Sequence, residues 1–168
     1  SWEQGKKIVD DGLALYPKDS DLNMLLGRYH HEQKNYDAAR LALVQSLKYN
    51  KNNVEAKQIL VNVEIETQRY SSAICYINEL LEVNPYWKGL WRKKIDVYRL
   101  QGNQVEANRL LKRISQIYPD DNNIKEAYLY YVEQEALAKK NEGKMSEAID
   151  LGSNLIEKAP ENVDYYIE

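Results

Sequence analysis

The side chains able to carry chemistry are few, and their spacing works against it. His30 and His31 are the chain's two histidines. Metal ligation or proton transfer would be their chemistry, but neighbours on a helix point about 100° apart, so they cannot chelate as an i, i+4 pair does. A packing role suits them better. Cys75 is the single cysteine, which excludes an internal disulfide and a cysteine-based zinc cluster. No histidine or second cysteine lies near it to raise its reactivity. The carboxylate pairs Asp10-Asp11 and Asp120-Asp121 have the right type for acid–base work, but one falls at a helix end and the other in a turn, where solvation or capping accounts for them. The glycines mark turns or close packing, and no glycine-rich phosphate loop exists. The chain is therefore expected to be no enzyme and to need no metal or cofactor. What remains is the basic cluster Arg92, Lys93 and Arg99, able to pair with an acidic segment through bidentate bonds or simply to be a solvated face.

The elements that position these residues repeat. Tyr70 to Pro85, YSSAICYINELLEVNP, reads as one amphipathic helix closed by proline, with Tyr70, Ala73, Ile77, Leu80 and Leu81 on one stripe. A bulky column runs through Trp2, Tyr36, Tyr70, Gln104 and Met145. Three residues later comes a small one: Gly5, Ala39, Ala73, Ala107 and Ala148. Both columns step by 34, 34, 34 and then 41 residues. A period of this length is the signature of a solenoid of helix pairs.

In chain order, residues 1–19 match only the second half of a repeat, and glycines at Gly5 and Gly12 predict a fraying end. Residues 20–53 form a full repeat: Ser20 or Asp19 caps a helix carrying Leu22, Leu25, Leu26 and Tyr29, and Tyr36 opens its partner. Residues 54–87 and 88–121 are the next two. In the latter Gln101-Gly102-Asn103 is the clearest turn, glycine supplying a left-handed stop. Residues 122–162 are a repeat seven residues too long. The excess falls in its first helix, roughly 123–141, where seven residues make about two α-turns and nearly keep the phase. Of Tyr128, Tyr130 and Tyr131, two are expected in the core and one outside. Residues 163–168 begin a further repeat, so the whole chain is read as a single solenoid, expected to be part of a longer protein with stacking faces at both ends.

This pattern resembles the tetratricopeptide repeat family. The resemblance rests on Leu26-Gly27 and Leu60 in first helices, Trp91 and Tyr98 in the third repeat, the small column Ala39, Ala73, Ala107 and Ala148, and the closing prolines Pro17, Pro85, Pro119 and Pro160. Lys94, Val61, Ile95 and Gln104 depart from the family's pattern, although the register holds over essentially the whole chain. The resemblance implies an all-α, right-handed α-solenoid of antiparallel helix pairs whose first helices line a concave groove for peptides or protein surfaces. Carried over residue by residue, that lining is Met24, Arg28 and His31; Gln58, Asn62 and Ile65; Arg92, Asp96 and Arg99; and Glu126, Tyr130 and Glu133. One subgroup grips a peptide carboxylate with a Lys/Asn/Asn/Lys/Arg clamp. Neither Met24, Arg28, Ile59, Gly89 and Lys93 nor Gln58, Asn62, Lys93, Asn123 and Ala127 reproduces it.

The function expected is thus a non-catalytic interaction scaffold for a protein or peptide partner, with self-association through the repeat ends left open. An accessory tethering segment of a larger enzyme, transporter or outer-membrane protein is the alternative. RNA binding by a pentatricopeptide-like array is remote, because a net charge of −3 suits a polyanion poorly. No apolar run approaches the roughly 18 residues of a membrane span, and the compartment, cytoplasm or bacterial envelope, is undecided.

Overall fold

The computed structural model describes residues 2–158, and every element in that range is an α-helix. These are α1 (Trp2–Leu15), α2 (Ser20–Glu32), α3 (Tyr36–Tyr49), α4 (Val54–Glu66), α5 (Tyr70–Val83), α6 (Lys88–Leu100), α7 (Gln104–Ile117), α8 (Asn122–Asn141) and α9 (Met145–Lys158). Pro160 and the expected further repeat at 163–168 lie outside the described residues. The first helices α2, α4 and α6 are 13 residues long each and α8 is 20, so the seven extra residues lengthen that one helix.

Local chemistry sets these boundaries. Asp19, Asn53 and Asp121, spaced by one or two repeats, each accept a hydrogen bond from the backbone N–H of the third residue on (Leu22, Ala56 and Ile124), at 2.8, 3.0 and 3.1 Å. These are side-chain N-caps. Trp87 holds the same place before α6 and supplies no such cap. The turns inside the hairpins share one device. Lys34, Gln68, Gly102 and Gly143 all take positive φ, at 58°, 59°, 74° and 76°, and the paired backbone bonds of a helix stop form around them, such as Lys34 to His31 and Asn35 to His30. The left-handed stop read at Gly102 is therefore a column, occupied in the first two hairpins by residues with a Cβ.

The chain forms two compact units, Ser1–Gly102 and Asn103–Glu168. In the first, each helix packs on the next from α1 to α6, and α2 also meets α4 across the intervening α3. Its central core joins Met24, Ala39, Leu43, Ala56, Ile59, Leu60 and Val63, with Tyr36, Leu47 and Tyr76 against it. In the second unit α8 packs on both α7 and α9, burying Ile124, Tyr128, Leu129, Val132 and Ala136 of α8. Of the three tyrosines Tyr128 is in the core, Tyr131 only half-buried and Tyr130 outside, one fewer in the core than the spacing predicted.

The buried face of α2 is turned from the expected stripe. Leu25 is exposed and Leu22 and Leu26 only half-buried, while Asn23, Met24 and Gly27 are inside. The cause is the close approach of α3. A Cβ on Gly27 would sit 2.5 Å from Cγ of Leu43, so the glycine edge, not the leucine edge, faces the neighbour.

Two polar devices lock α2, α3 and α4 together. Buried Asn53 donates through Nδ2 to Ser20 Oγ at 3.0 Å and Ser46 Oγ at 3.3 Å, while its Oδ1 caps α4. Deeper along the pair, Arg40 of α3 donates through Nε to Glu64 of α4 at 2.7 Å and through Nη2 to Thr67 at 2.8 Å. Burial works against the Arg40 charge, and the hydrogen bonds and charges of Glu64 and Asp37 outweigh it, leaving its pKa raised.

Candidate functional site

Along the first unit the expected lining residues fall on α2, α4 and α6, and their surroundings differ from helix to helix. On α2, Met24 is 6% exposed and belongs to the core, with its sulfur 3.8 Å from Arg28 Nη2. Arg28 forms an ion pair with Glu55 of α4. His31 Nε2 lies 3.2 Å from Glu66 Oε2 at the far end of α4. The Tyr36 ring stands 6.2 Å from the His31 ring. Burial, the hydrogen bond that the Tyr36 hydroxyl donates to Glu66 and that carboxylate's charge together raise the Tyr36 pKa.

Between α4 and α6 the picture changes. Gln58 is half-buried and Arg92 exposed. Asn62 accepts a 2.6 Å hydrogen bond from Lys93 Nζ. Asp96 pairs along its own helix with Arg99 at 3.7 Å. Asn62, Ile65 and Asp96 meet with Glu66, Lys93, Val97 and Leu100 around a shallow cleft of about 260 Å³. Three of the expected residues are thus brought to one place, and four more come with them. Glu66 and Leu100 lie four residues beyond Asn62 and Asp96, so they were readable as i, i+4 neighbours of the middle position carried over on each helix. In the second unit Glu126, Tyr130 and Glu133 share one stripe of α8; Tyr130 is 65% exposed, Glu126 exposed and Glu133 half-buried.

Among the described residues no group of His, Cys, Asp or Glu side chains could hold a metal ion, and no helix is long and apolar enough to cross a membrane. Cys75 is exposed, and Asp121 is engaged as a cap.

No protein-family model matches the chain, and no curated protein matches it either. Solved structures do. A tetratricopeptide repeat protein from Parabacteroides merdae superposes with a TM-score of 0.66 at 16% identity, over 98% of this chain and 63% of that one. YrrB, described as a TPR protein with an unusual peptide-binding site, gives 0.63 at 13% identity over 98% and 81%. MamA gives 0.62 at 17% over 99% and 87%. The fold is that of the tetratricopeptide repeat proteins.

The repeat frame turns the contrast between the two faces into a position-by-position comparison. Moving one 34-residue step, Arg28 and Glu55 become Asn62 and Gly89, and His31 and Glu66 become Ile65 and Leu100. Polar and charged groups on the facing sides of α2 and α4 are replaced by an amide, a missing side chain and two apolar ones, and the cleft opens at that place. Beneath it, Arg40 and Glu64 become Ile74 and Tyr98, and the Asn53–Ser46–Ser20 hub becomes Trp87, Leu80 and Val54.

Proposed function

We propose that the chain is a protein-interaction module in which the faces of the first helices receive a segment of a partner protein. The observation that carries this reading is the α4–α6 cleft, where polar bridging side chains give way to Ile65 and Leu100 and leave a half-apolar furrow open. A helical-repeat array offers such a furrow already formed, so little ordering entropy opposes binding. The likeness to YrrB, a protein described by its peptide-binding site, supports the same class. The residues proposed to meet partner are Gln58, Asn62, Ile65, Arg92, Asp96 and Arg99 on α4 and α6. On α2, Arg28 and His31 lie at the margin, and Met24 supports them from the core. Glu126, Tyr130 and Glu133 form a separate candidate stripe on α8. A tethering segment within a larger assembly would use the same surface.

The test is site-specific photocrosslinking. A photoreactive side chain at Gln58 or Arg92 is expected to form adducts with one partner, and the same group at exposed Ser72 on α5 is not. Equal labelling at all three positions would show that the first-helix face has no special role.

A further inference from the structure

We propose that the end of the first unit built by the α1–α2, α3–α4 and α5–α6 turns docks on the surface of an anionic phospholipid membrane. This surface lies apart from the α4–α6 cleft, and the proposal goes beyond the reading of that cleft without depending on it.

Packed helices joined by short turns run antiparallel, so these three turns fall together at one end of the unit, and the α2–α3 and α4–α5 turns at the other. The two ends expose different chemistry. Glu32 to Asn35 and Glu66 to Arg69, at the second end, present only polar side chains. At the first end Leu15, Tyr16, Val83 and Tyr86 stand 66% to 75% exposed, with Tyr49 and Val54 exposed beside them. Single apolar side chains on a surface mean little, but a gathering of them at one end marks a place that meets something.

The neighbours of the tyrosines say what. Each of the three turns carries a tyrosine with a lysine two residues on: Tyr16 and Lys18, Tyr49 and Lys51, Tyr86 and Lys88. All six are exposed, and Lys48 adds a fourth cation. Lysine is depleted from protein–protein interfaces. An aromatic ring at headgroup depth, with a lysine reaching the phosphates beside it, suits the membrane–water boundary instead. Of the carboxylates in residues 15–21, 48–55 and 82–88, three are tied to groups of the fold. Asp19 caps α2, Asp21 accepts a 3.2 Å hydrogen bond from Asn53 Nδ2, and Glu55 pairs with Arg28. Glu82 is the fourth.

The turns also hold these side chains in place. One backbone bond closes all three, from the N–H of Asp19, Asn53 and Trp87 to the carbonyls of Tyr16, Asn50 and Asn84, at 3.1, 3.1 and 3.2 Å. Trp91 Nε1 donates to the Pro85 carbonyl at 2.7 Å and pins the third turn further. Anchors on fixed turns lose little freedom on docking. In the second unit the α7–α8 turn closes with the same bond, from Asp121 to Tyr118 at 3.2 Å. There Tyr118 is half-buried and followed two residues on by Asp120. The turn's backbone therefore demands neither an exposed tyrosine nor a lysine, and their recurrence in the first unit needs another cause.

The experiment is flotation of the whole chain with vesicles at physiological ionic strength, alongside NMR of the labelled chain on nanodiscs that carry a spin-labelled lipid. Vesicles of phosphatidylcholine and phosphatidylglycerol in equal parts are expected to carry the chain, and phosphatidylcholine alone to bind it roughly tenfold more weakly. The spin label should broaden resonances of residues 15–18, 49–51 and 83–88 and leave those of 33–35 and 67–69 sharp. Lys18→Glu with Lys51→Glu and Lys88→Glu should weaken vesicle binding by about tenfold or more. Tyr16→Ser with Tyr86→Ser should do the same, both sets at exposed positions and with the thermal melt unchanged. Lys34→Glu with Arg69→Glu, at the opposite end, should leave binding as it was. Absence of flotation, broadening alike at both ends, or binding indifferent to the turn variants overturns the proposal. So does a concentration-dependent dimer, lost in the tyrosine variant, in place of vesicle binding, because the end would then belong to a second copy of the chain. The photocrosslinks at Gln58 and Arg92 report on the first-helix face whichever way this falls.

Discussion

The α2–α3–α4 joint and the α4–α5–α6 joint are built on the same backbone plan from opposite materials. In the first, charged and amide groups reach from helix to helix: Arg40 to Glu64 and Thr67, Arg28 to Glu55, Asn53 to Ser20 and Ser46. In the second, the corresponding positions are mostly apolar, and its polar ties include Lys57 to Glu79 at 2.6 Å and Lys93 to Asn62. Polar groups that satisfy one another across a joint fix its geometry and leave nothing over for a ligand. Apolar walls with fewer ties across them leave room for one. The difference separates a joint that holds the stack from one equipped to bind.

The largest effect that would break this comparison is the loss of Arg40. Its partner Glu64 is 3% exposed, and among the described residues Glu64 Oε2 already has no hydrogen-bond partner. Arg40→Ala leaves a buried carboxylate uncompensated, which costs about 3–5 kcal/mol. Arg92→Ala, at an exposed site on the other joint, is expected to change stability by less than about 0.5 kcal/mol. Denaturant unfolding of both variants measures the pair. Similar losses in the two would erase the distinction. Asn53→Ala comes next: it removes the α4 cap and the hydrogen bonds to Ser20 and Ser46, for about 2 kcal/mol in the same assay.

Much of this architecture was legible in the residues alone. The small column from Ala39 to Ala148 set the helix pairs, and the longer step before Ala148 located the lengthening in α8, because a fixed period turns any insertion into a visible offset. The bridges were not legible. Arg40 and Glu64 are 24 residues apart in sequence, and nothing in either helix's own pattern says which charged residue turns inward. Met24 and Leu25 show the same limit. Adjacent on α2, they differ by about 100° in direction, so a modest rotation of the helix decides which one is core. That rotation comes from Gly27 against Leu43, a tertiary contact. The site suffered likewise: the helix positions of its lining were readable, but the cleft depends on what lies opposite them.

A smaller effect sharpens the comparison at the turns. Lys34 and Gln68 adopt positive φ, which costs a residue with a Cβ roughly 1 kcal/mol against glycine. Lys34→Gly and Gln68→Gly should each gain up to about 0.5–1 kcal/mol, less what glycine adds to the unfolded chain's entropy. Gly102→Ala should lose about 1 kcal/mol, since no neighbouring atom blocks the Cβ and the backbone alone resists it. Thermal melts that rank these three in the opposite order would mean that the turns are not one equivalent column.

The smallest effect concerns a column that changes chemistry at every repeat: His30, Glu64 and Tyr98. Glu64 is answered by Arg40, and Tyr98 stands opposite an apolar joint. His30 has neither. Burial first, and then the charge of Lys6, push its pKa below the ordinary histidine value, with Asp10 opposing. The folded chain thus prefers the neutral ring, whereas the unfolded chain takes up a proton at about pH 6.5. Above that pH both forms are neutral and His30 carries no penalty. As the pH falls, the unfolded state gains the proton first, so stability declines until His30 itself becomes charged in the fold, and then levels off. His30→Tyr puts into the first repeat the residue that the third one carries and removes that proton. Melting temperatures between pH 8 and pH 5 should therefore fall more steeply for the parent chain than for the variant. Parallel curves would place the acid sensitivity of this joint elsewhere and return His30 to a purely steric role.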